Sequence, residues 1–349
     1  MCSTTRRIRS LVLTLALMCP VLIAAPPVAE VPFVSAQGDA GLMDGYFKYQ
    51  TGEKTVGDFG VQGSLRNVAS WSSKLKFPED VLRVGASAAL GWQAAPRWDW
   101  RLCGQIWKNL DDPGDKMVNE DILILQQSTG IYGKDDHRRV TAGSRGRIYS
   151  ESDAELNAYG IDGKIEFIRR TGSGDVSIFL GHRYQKLDYD LYGLQGYQSG
   201  VSAFGMTDGP LVPVSGSTKV GAYEADTQIP YFGLGYYFDA FRRLHGALSV
   251  AYSPWAQVED EDNHMSRAMA SNSDADGSAL MLKASARVDL LANVFARLTA
   301  EYTSLSVDGD TSSVFYRSTP EASAGMSFNG PISMDESQTA VYGSLGIEF

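Results

Sequence analysis

Side-chain alternation constrains this chain more than any other feature. Leu280, Leu282, Ala284, Ala286, Val288 and Leu290 share one parity, while Lys283, Ser285, Arg287 and Asp289 share the other. Val294, Ala296, Leu298, Ala300 and Tyr302 repeat the pattern against Arg297, Thr299, Glu301 and Thr303. Rows of the same kind run from Leu82 to Trp92 and through Trp98, Trp100, Leu102 and Ile106. Successive side chains of an extended chain point to opposite faces, so each segment reads as a strand with one apolar and one polar face. Beyond residue 36 no apolar run reaches the ~18 residues of a spanning helix. If this chain enters a membrane, it does so as strands.

A soluble sandwich alternates too, so the connections must decide. They come in two kinds. Ala94 to Pro96, Thr171 to Gly174, Asp239 to Arg243 and Leu291 to Asn293 are tight, whereas Asp111 to Ser150, Tyr192 to Tyr223, Glu259 to Asp276 and Val307 to Glu336 are long and polar. Short and long alternate strictly, as expected of an all-β transmembrane antiparallel barrel with short periplasmic turns and long extracellular loops. A first strand near Leu42 to Lys54 brings the count to about ten, an even number that leaves both termini in the periplasm. Val341, Gly343, Leu345, Ile347 and Phe349 form a last row of one parity, an end resembling the aromatic-terminated signal read by the barrel insertion machinery. Charged inward residues such as Asp162, Lys164 and Glu166 are expected to pair inside so narrow a barrel, whose filled interior argues against a passive pore.

The N-terminus agrees with export. Arg6, Arg7 and Arg9 precede an apolar run from Leu11 to Ala25, and Val34-Ser35-Ala36 has the small-x-small character of a signal peptidase site. Residues 1–36 read as a signal peptide and 37–349 as one barrel domain. Losing three arginines and one glutamate would take the formal net charge from −10 to −12. Such a protein repels nucleic acid and favours cationic partners. Two of the three cysteines, Cys2 and Cys19, fall in the leader, which leaves Cys103 with nothing to pair with and rules out a disulfide scaffold. Cys103 has inward parity and reads as small packing.

Several familiar chemistries are absent. There is no Gly-x-Ser-x-Gly elbow, no phosphate loop and no His-x-x-x-His, so neither a serine nucleophile nor a metal site has sequence support. The best candidate is Asp262-Asn263-His264. Positions two apart face one side of an extended chain, so Asp262 can orient the imidazole of His264 while the ring takes a proton from water. The competing reading is a hydrated acidic loop, Glu259-Asp260-Glu261-Asp262, that carries a histidine. Spacing does not separate them, because Asp135-Asp136-His137 shows the same Asp-x-His pattern.

The frame around the pair adds to this. Tyr252-Ser253-Pro254-Trp255, followed by Asp262 and His264, resembles the Tyr-Ser-x-Trp that precedes the Asp-His dyad of the omptin family of outer-membrane endopeptidases. Tyr184-Gln185 with Tyr189, Gly196 and Tyr197 is similar to a second omptin segment. Met117-Val118-Asn119-Glu120-Asp121 looks like the stretch that holds the family's other acidic pair, spaced Asp-x-Asp. Here Asn119 stands where omptins have the first Asp, and Ile148 to Asp153 reproduces the family's second-loop motif poorly. The resemblance implies a ten-stranded barrel in the bacterial outer membrane, acting as a monomer without a cofactor and activated by lipopolysaccharide. It implies hydrolysis of cationic peptides by a water held between His264 with Asp262 and Asp121 with Asn119. Asp260 falls where the family carries a carboxylate for a basic side chain, and Glu53 is a looser second candidate. Asn119 and the weak second-loop match leave a noncatalytic barrel, serving as adhesin, scaffold or degenerate omptin, as the alternative. A lipid A hydrolase is the third reading.

Overall fold

The structure, a computed structural model, describes residues 33–52, 54–62, 65–129, 139–171, 174–199, 209–318 and 323–349. The strands are β1 (Phe33–Thr51), β2 (Lys54–Gln62), β3 (Leu65–Pro78), β4 (Val81–Ala95), β5 (Trp98–Asn109), β6 (Met117–Thr129), β7 (Arg139–Thr171), β8 (Gly174–Ser199), β9 (Gly209–Pro210), β10 (Val214–Phe241), β11 (Leu244–His264), β12 (Met269–Asp289), β13 (Val294–Phe315) and β14 (Ser327–Glu348). Every pairing among them is antiparallel. A closed ring of ten runs β1, β4, β5, β7, β8, β10, β11, β12, β13, β14 and back to β1. Closure removes the open edges that a bilayer cannot satisfy.

Outward rows such as Leu248, Val250 and Tyr252, Leu280 and Leu282, and Val341, Leu345 and Ile347 form the lipid belt. Each row spans about ten residues, what a tilted strand needs to cross hydrocarbon. We take the spanning segments to end at Leu42, Leu82, Tyr252 to Trp255, Leu280, Tyr302 and Val341. Above that level the outward parity turns acidic, with Glu261, Asp274, Asp276, Asp308 and Asp310 exposed. The inward Asp162, Lys164 and Glu166 pair inside the barrel. Asp162 meets Arg183 at 3.1 Å, and Glu166 meets Lys164 at 3.7 Å and Arg101 at 3.9 Å. Cys103 also faces inward and lines a lumen cavity of about 920 Å³ with these charges.

Two boundaries differ from those read off the sequence. The first strand begins at Phe33 rather than Leu42, because Ser35, Ala36, Gly38 and Ala40 pair with β14 and β4 without the bulky residues that betray a strand. The long polar connections are largely strand as well. β8 and β10 run on to Ser199 and from Val214, and β11 and β12 meet across a turn of Met265 to Ala268. Both faces of these extensions are polar, so hydrophobic alternation gives no sign of them. On the first hairpins the ring continues upward with β3 in place of β4 and β6 in place of β5.

The neck between membrane and extension is filled. Phe47, Phe77, Tyr189 and Tyr223 are essentially inaccessible and pack together, Phe77 stacking on Tyr223 at 4.1 Å and approaching Tyr189 at 5.1 Å. Below them, Gln338 Nε2 donates to Glu79 Oε2 at 2.8 Å and Gln185 Nε2 donates to Glu336 Oε1 at 2.9 Å. Burial raises the Glu79 carboxyl well above its usual range, with the Glu336 charge adding, and burial pushes Glu336 up to about 7. An unfolded glutamate releases its proton near pH ~4.3, so the folded state holds the extra proton between there and about pH 7. Stability therefore falls as pH rises through that window, by roughly 1.4 kcal/mol per unit for one such group, and levels off above it. In thermal unfolding of the detergent-solubilised protein, Glu336→Gln is expected to show a shallower fall between pH 5 and 7, with the share of Glu79 remaining. A variant with the wild-type slope would contradict the assignment.

Candidate active site

β11 carries its functional side chains inward only because of one local irregularity. In its lower half Ala251 and Ser253 face the lumen, and Leu248, Val250 and Tyr252 face lipid. Between Ser253 and Ala256 the register slips by one residue against β12, so Pro254 and Trp255 both lie outward. The Ser253 Oγ accepts from the Trp255 backbone N–H at 3.2 Å and closes this bulge. Beyond it the inward residues are Ala256, Val258, Asp260, Asp262 and His264. The Tyr-Ser-Pro-Trp frame thus sets the face on which the acids and the imidazole stand. Trp255 is itself exposed in the interfacial girdle and packs edge-on against Phe232.

His264 Nε2 lies 2.8 Å from Asp262 Oδ2, in ion-pair contact, with Asp262 buried and His264 partly open. Asp260, one step below, is buried and accepts from Tyr223 Oη at 3.0 Å. Burial pushes its carboxyl up to about 7, with the Asp262 charge adding. These groups sit up to nine residues above Trp255, about 30 Å of strand path beyond the lipid belt.

The facing wall is built from β3 and β6, where Ser73 is the direct partner of Asp121. Asp121 is fully buried. Its Oδ1 accepts from Ser73 Oγ at 2.6 Å, and its Oδ2 accepts from Asn119 Nδ2 at 3.3 Å. The Arg267 guanidinium, from the turn that follows His264, reaches across and pairs with the same Oδ2. Burial alone would raise the Asp121 carboxyl; the Arg267 charge and the Ser73 hydrogen bond outweigh it and hold it below the usual range, with His264 acting in the same direction. Tyr49 of β1 completes the site. Burial raises its phenol well above the ordinary value, and the charges of Asp262, Asp260 and Asp121 add to that. One phenol thus feels carboxylates of both walls.

Of the residues singled out from the sequence, the structure brings together Asp262, His264, Asp260, Asp121 and Asn119. Glu53 and His137 lie outside the described residues. Gln185 and Tyr189 of the second motif belong to the neck, and Tyr189 Oη donates to the Pro78 carbonyl at 2.9 Å. Ser73, Tyr49, Tyr223 and Arg267 went unrecognised, because nothing local marks a serine or tyrosine whose partner is 37 to 48 residues away. Arg267 alone had a local signal, three residues after His264. Among the described residues no group of three or more His, Cys, Asp and Glu side chains has metal-binding geometry.

The ten-stranded ring, the outward apolar belt and the polar, charged interior are those of a bacterial outer-membrane β-barrel, and that is the class this protein belongs to. As a whole fold it is similar to the outer membrane protease OmpT of Escherichia coli, with a TM-score of 0.64 at 15% identity over 93% of this chain and 100% of that one. Weaker likenesses run to the outer membrane protein OprG of Pseudomonas aeruginosa, TM-score 0.34 at 9% identity over 91% of this chain and 95% of that one. A FadL homologue from the same organism gives 0.26 at 9% over 90% of each chain. No family model and no curated protein matches the chain.

Proposed function

We propose that this protein is an omptin-like endopeptidase of the outer membrane, hydrolysing peptide bonds beside basic residues in an extracellular groove. One observation supports the reading above the others: Arg267, three residues beyond the His264 and Asp262 pair, contacts the buried carboxylate of Asp121, so the dyad and the opposite acid line one groove. In the reaction, His264 removes a proton from water as the water oxygen bonds to the scissile carbonyl carbon, and the carbonyl π pair moves onto oxygen. Asp262 orients the ring and balances the imidazolium. The carbonyl then re-forms, the C–N bond breaks, and His264 returns the proton to the departing amine. Asn119 carries no charge and shares no proton, but its amide gives Asp121 a permanent donor. Asp260 supplies negative charge to a Lys or Arg side chain.

That last role has a pH signature. Asp260 ionises as pH rises through about 7, so KM for a cationic peptide is expected to fall by up to about tenfold from pH 6 to 8. Asp260→Asn should flatten the profile. A KM independent of pH in both proteins would remove Asp260 from substrate binding.

The test of the whole reading is cleavage of a short peptide containing Arg-Arg or Lys-Lys by refolded protein with lipopolysaccharide, products being identified by mass. Equal cleavage by wild type and His264→Ala would end the proposal. The second reading, a noncatalytic surface barrel, is favoured by Asn119 in place of an acid, and it predicts no cleavage by either protein.

A further inference from the structure

The charged chamber below the neck holds a cation that its carboxylates leave out. Arg183 pairs with Asp162 and Glu301, Lys283 with Glu301, Lys164 with Glu166, and Arg287 with both Asp289 and Glu348. Arg297 lines the same chamber from the inward face of β13. Among the described residues it pairs with no carboxylate, and the charges that bear on it are those of two more arginines, Arg287 and Arg101.

Register makes this crowding unavoidable. Arg287 and Arg297 are direct cross-strand partners in the β12–β13 ladder, and their guanidiniums both lie over the Phe295 ring, at 4.2 and 5.2 Å from its centroid. Like charges placed directly opposite each other destabilise a sheet. Ionisable groups kept at bilayer depth either pair with one another or serve a site.

Two further donors are left over nearby. Arg101 enters the chamber from β5, over the rings of Phe33 and Tyr237 at 5.2 Å from each. Among the described residues its Nε is buried without an acceptor, and Glu166 approaches only another nitrogen of the guanidinium, at 3.9 Å. Thr299, one inward step from Arg297 and 1% exposed, has a buried and unpartnered Oγ1 as well.

We propose that the chamber binds a small tetrahedral oxyanion of the phosphate class between Arg297, Arg101 and Thr299, with Arg287 as a further positive charge beside it. Guanidinium forks and a hydroxyl brought in by β5 and β13 suit a dianion that accepts on every oxygen, whereas a carboxylate offers two oxygens in one plane. The ligand is a dissolved ion and not a lipid headgroup, because the barrel wall stands between these groups and the bilayer. Its access is from the periplasm. The chamber reaches the turn residues Thr171 and Gly174, and the packed neck closes it above. This site owes nothing to the peptidase reading, since the neck separates it from the groove.

The experiment is equilibrium dialysis of the refolded protein, in uncharged detergent at pH 8, against radiolabelled inorganic phosphate with ionic strength held by chloride. Wild type should bind phosphate saturably, about one ion per chain. Arg297→Gln should bind at least about tenfold more weakly, the loss expected for one charge-assisted hydrogen bond, and Thr299→Val about two- to tenfold more weakly. Thermal unfolding gives a second readout. In chloride alone Arg297→Gln should unfold at no lower a temperature than wild type, because it relieves two opposed like charges. Phosphate should raise the midpoint of wild type and leave that of the variant in place. Failure of wild type to bind phosphate, equal binding by Arg297→Gln, or an equal rise in midpoint with chloride overturns the assignment. An Arg297→Gln chain that does not fold overturns it too, by making Arg297 a structural cation.

Discussion

His264→Ala is expected to lower kcat for the Arg-Arg or Lys-Lys peptide by about 10³-fold, the middle of the range for a general base. The argument rests on what the ring does and does not touch. Its contact is Asp262, and the side chain stays partly open to the groove. Loss of the imidazole therefore removes the proton acceptor without opening the packed neck of Phe47, Phe77, Tyr189 and Tyr223. Asp262 is left as a buried carboxylate without its partner, which costs stability but does not unfold a barrel closed by ten strand pairings. Asp262→Asn should lose activity less steeply, with the base present but poorly oriented. Kinetics on protein whose folded state is confirmed by its gel mobility before and after heating would check both. A histidine variant with more than about a tenth of wild-type kcat would assign the base elsewhere.

Insertion of one alanine between Trp255 and Ala256 should abolish hydrolysis altogether. The bulge at Ser253 to Ala256 sets two successive residues outward, and Ala256 after them starts the inward row of Asp260, Asp262 and His264. A residue added beyond it shifts the alternation by one, which exchanges the two faces of the upper half. The lower half is held in place by Leu248, Val250 and Tyr252, whose transfer from lipid to a charged lumen would be costly, so the upper half is the part that turns. Glu259, Glu261 and Asn263 would then point inward and the dyad outward. In a chain lacking its three native cysteines, Glu261→Cys should react with a membrane-impermeant maleimide. The same cysteine in the alanine-insertion variant should be protected. Retained cleavage, or unchanged labelling, would show that the bulge widens to absorb the added residue instead.

How much of this was legible beforehand divides at the membrane surface. Inside the bilayer one face must be apolar, so Leu280 to Leu290 and Val294 to Tyr302 announced their strands and the tight turns announced the pairing order. Above the bilayer both faces meet water. There Asp188, Glu224 and Asp274 stand on regular strands with no hydrophobic period to reveal them. The dyad was legible because its two members are adjacent on one strand. The opposite wall was only half so: Asp121 and Asn119 are neighbours on β6, but Ser73 reaches them through sheet pairing from β3, and Arg267 through the closing of the ring. Phe33 to Gly41 was missed as a strand for a different reason, since small residues satisfy a ladder as well as large ones without marking it.

The packed neck also decides on which side anything done here takes effect. With Phe77 stacked on Tyr223 above and amide-linked glutamates below, a peptide seated against His264 has no way down into the lumen. Fragments must leave by the route their parent came. If the proposed hydrolysis takes place in the groove, a cell carrying this protein changes the polypeptides around it without taking any in, and the charged chamber beneath never meets what the groove releases.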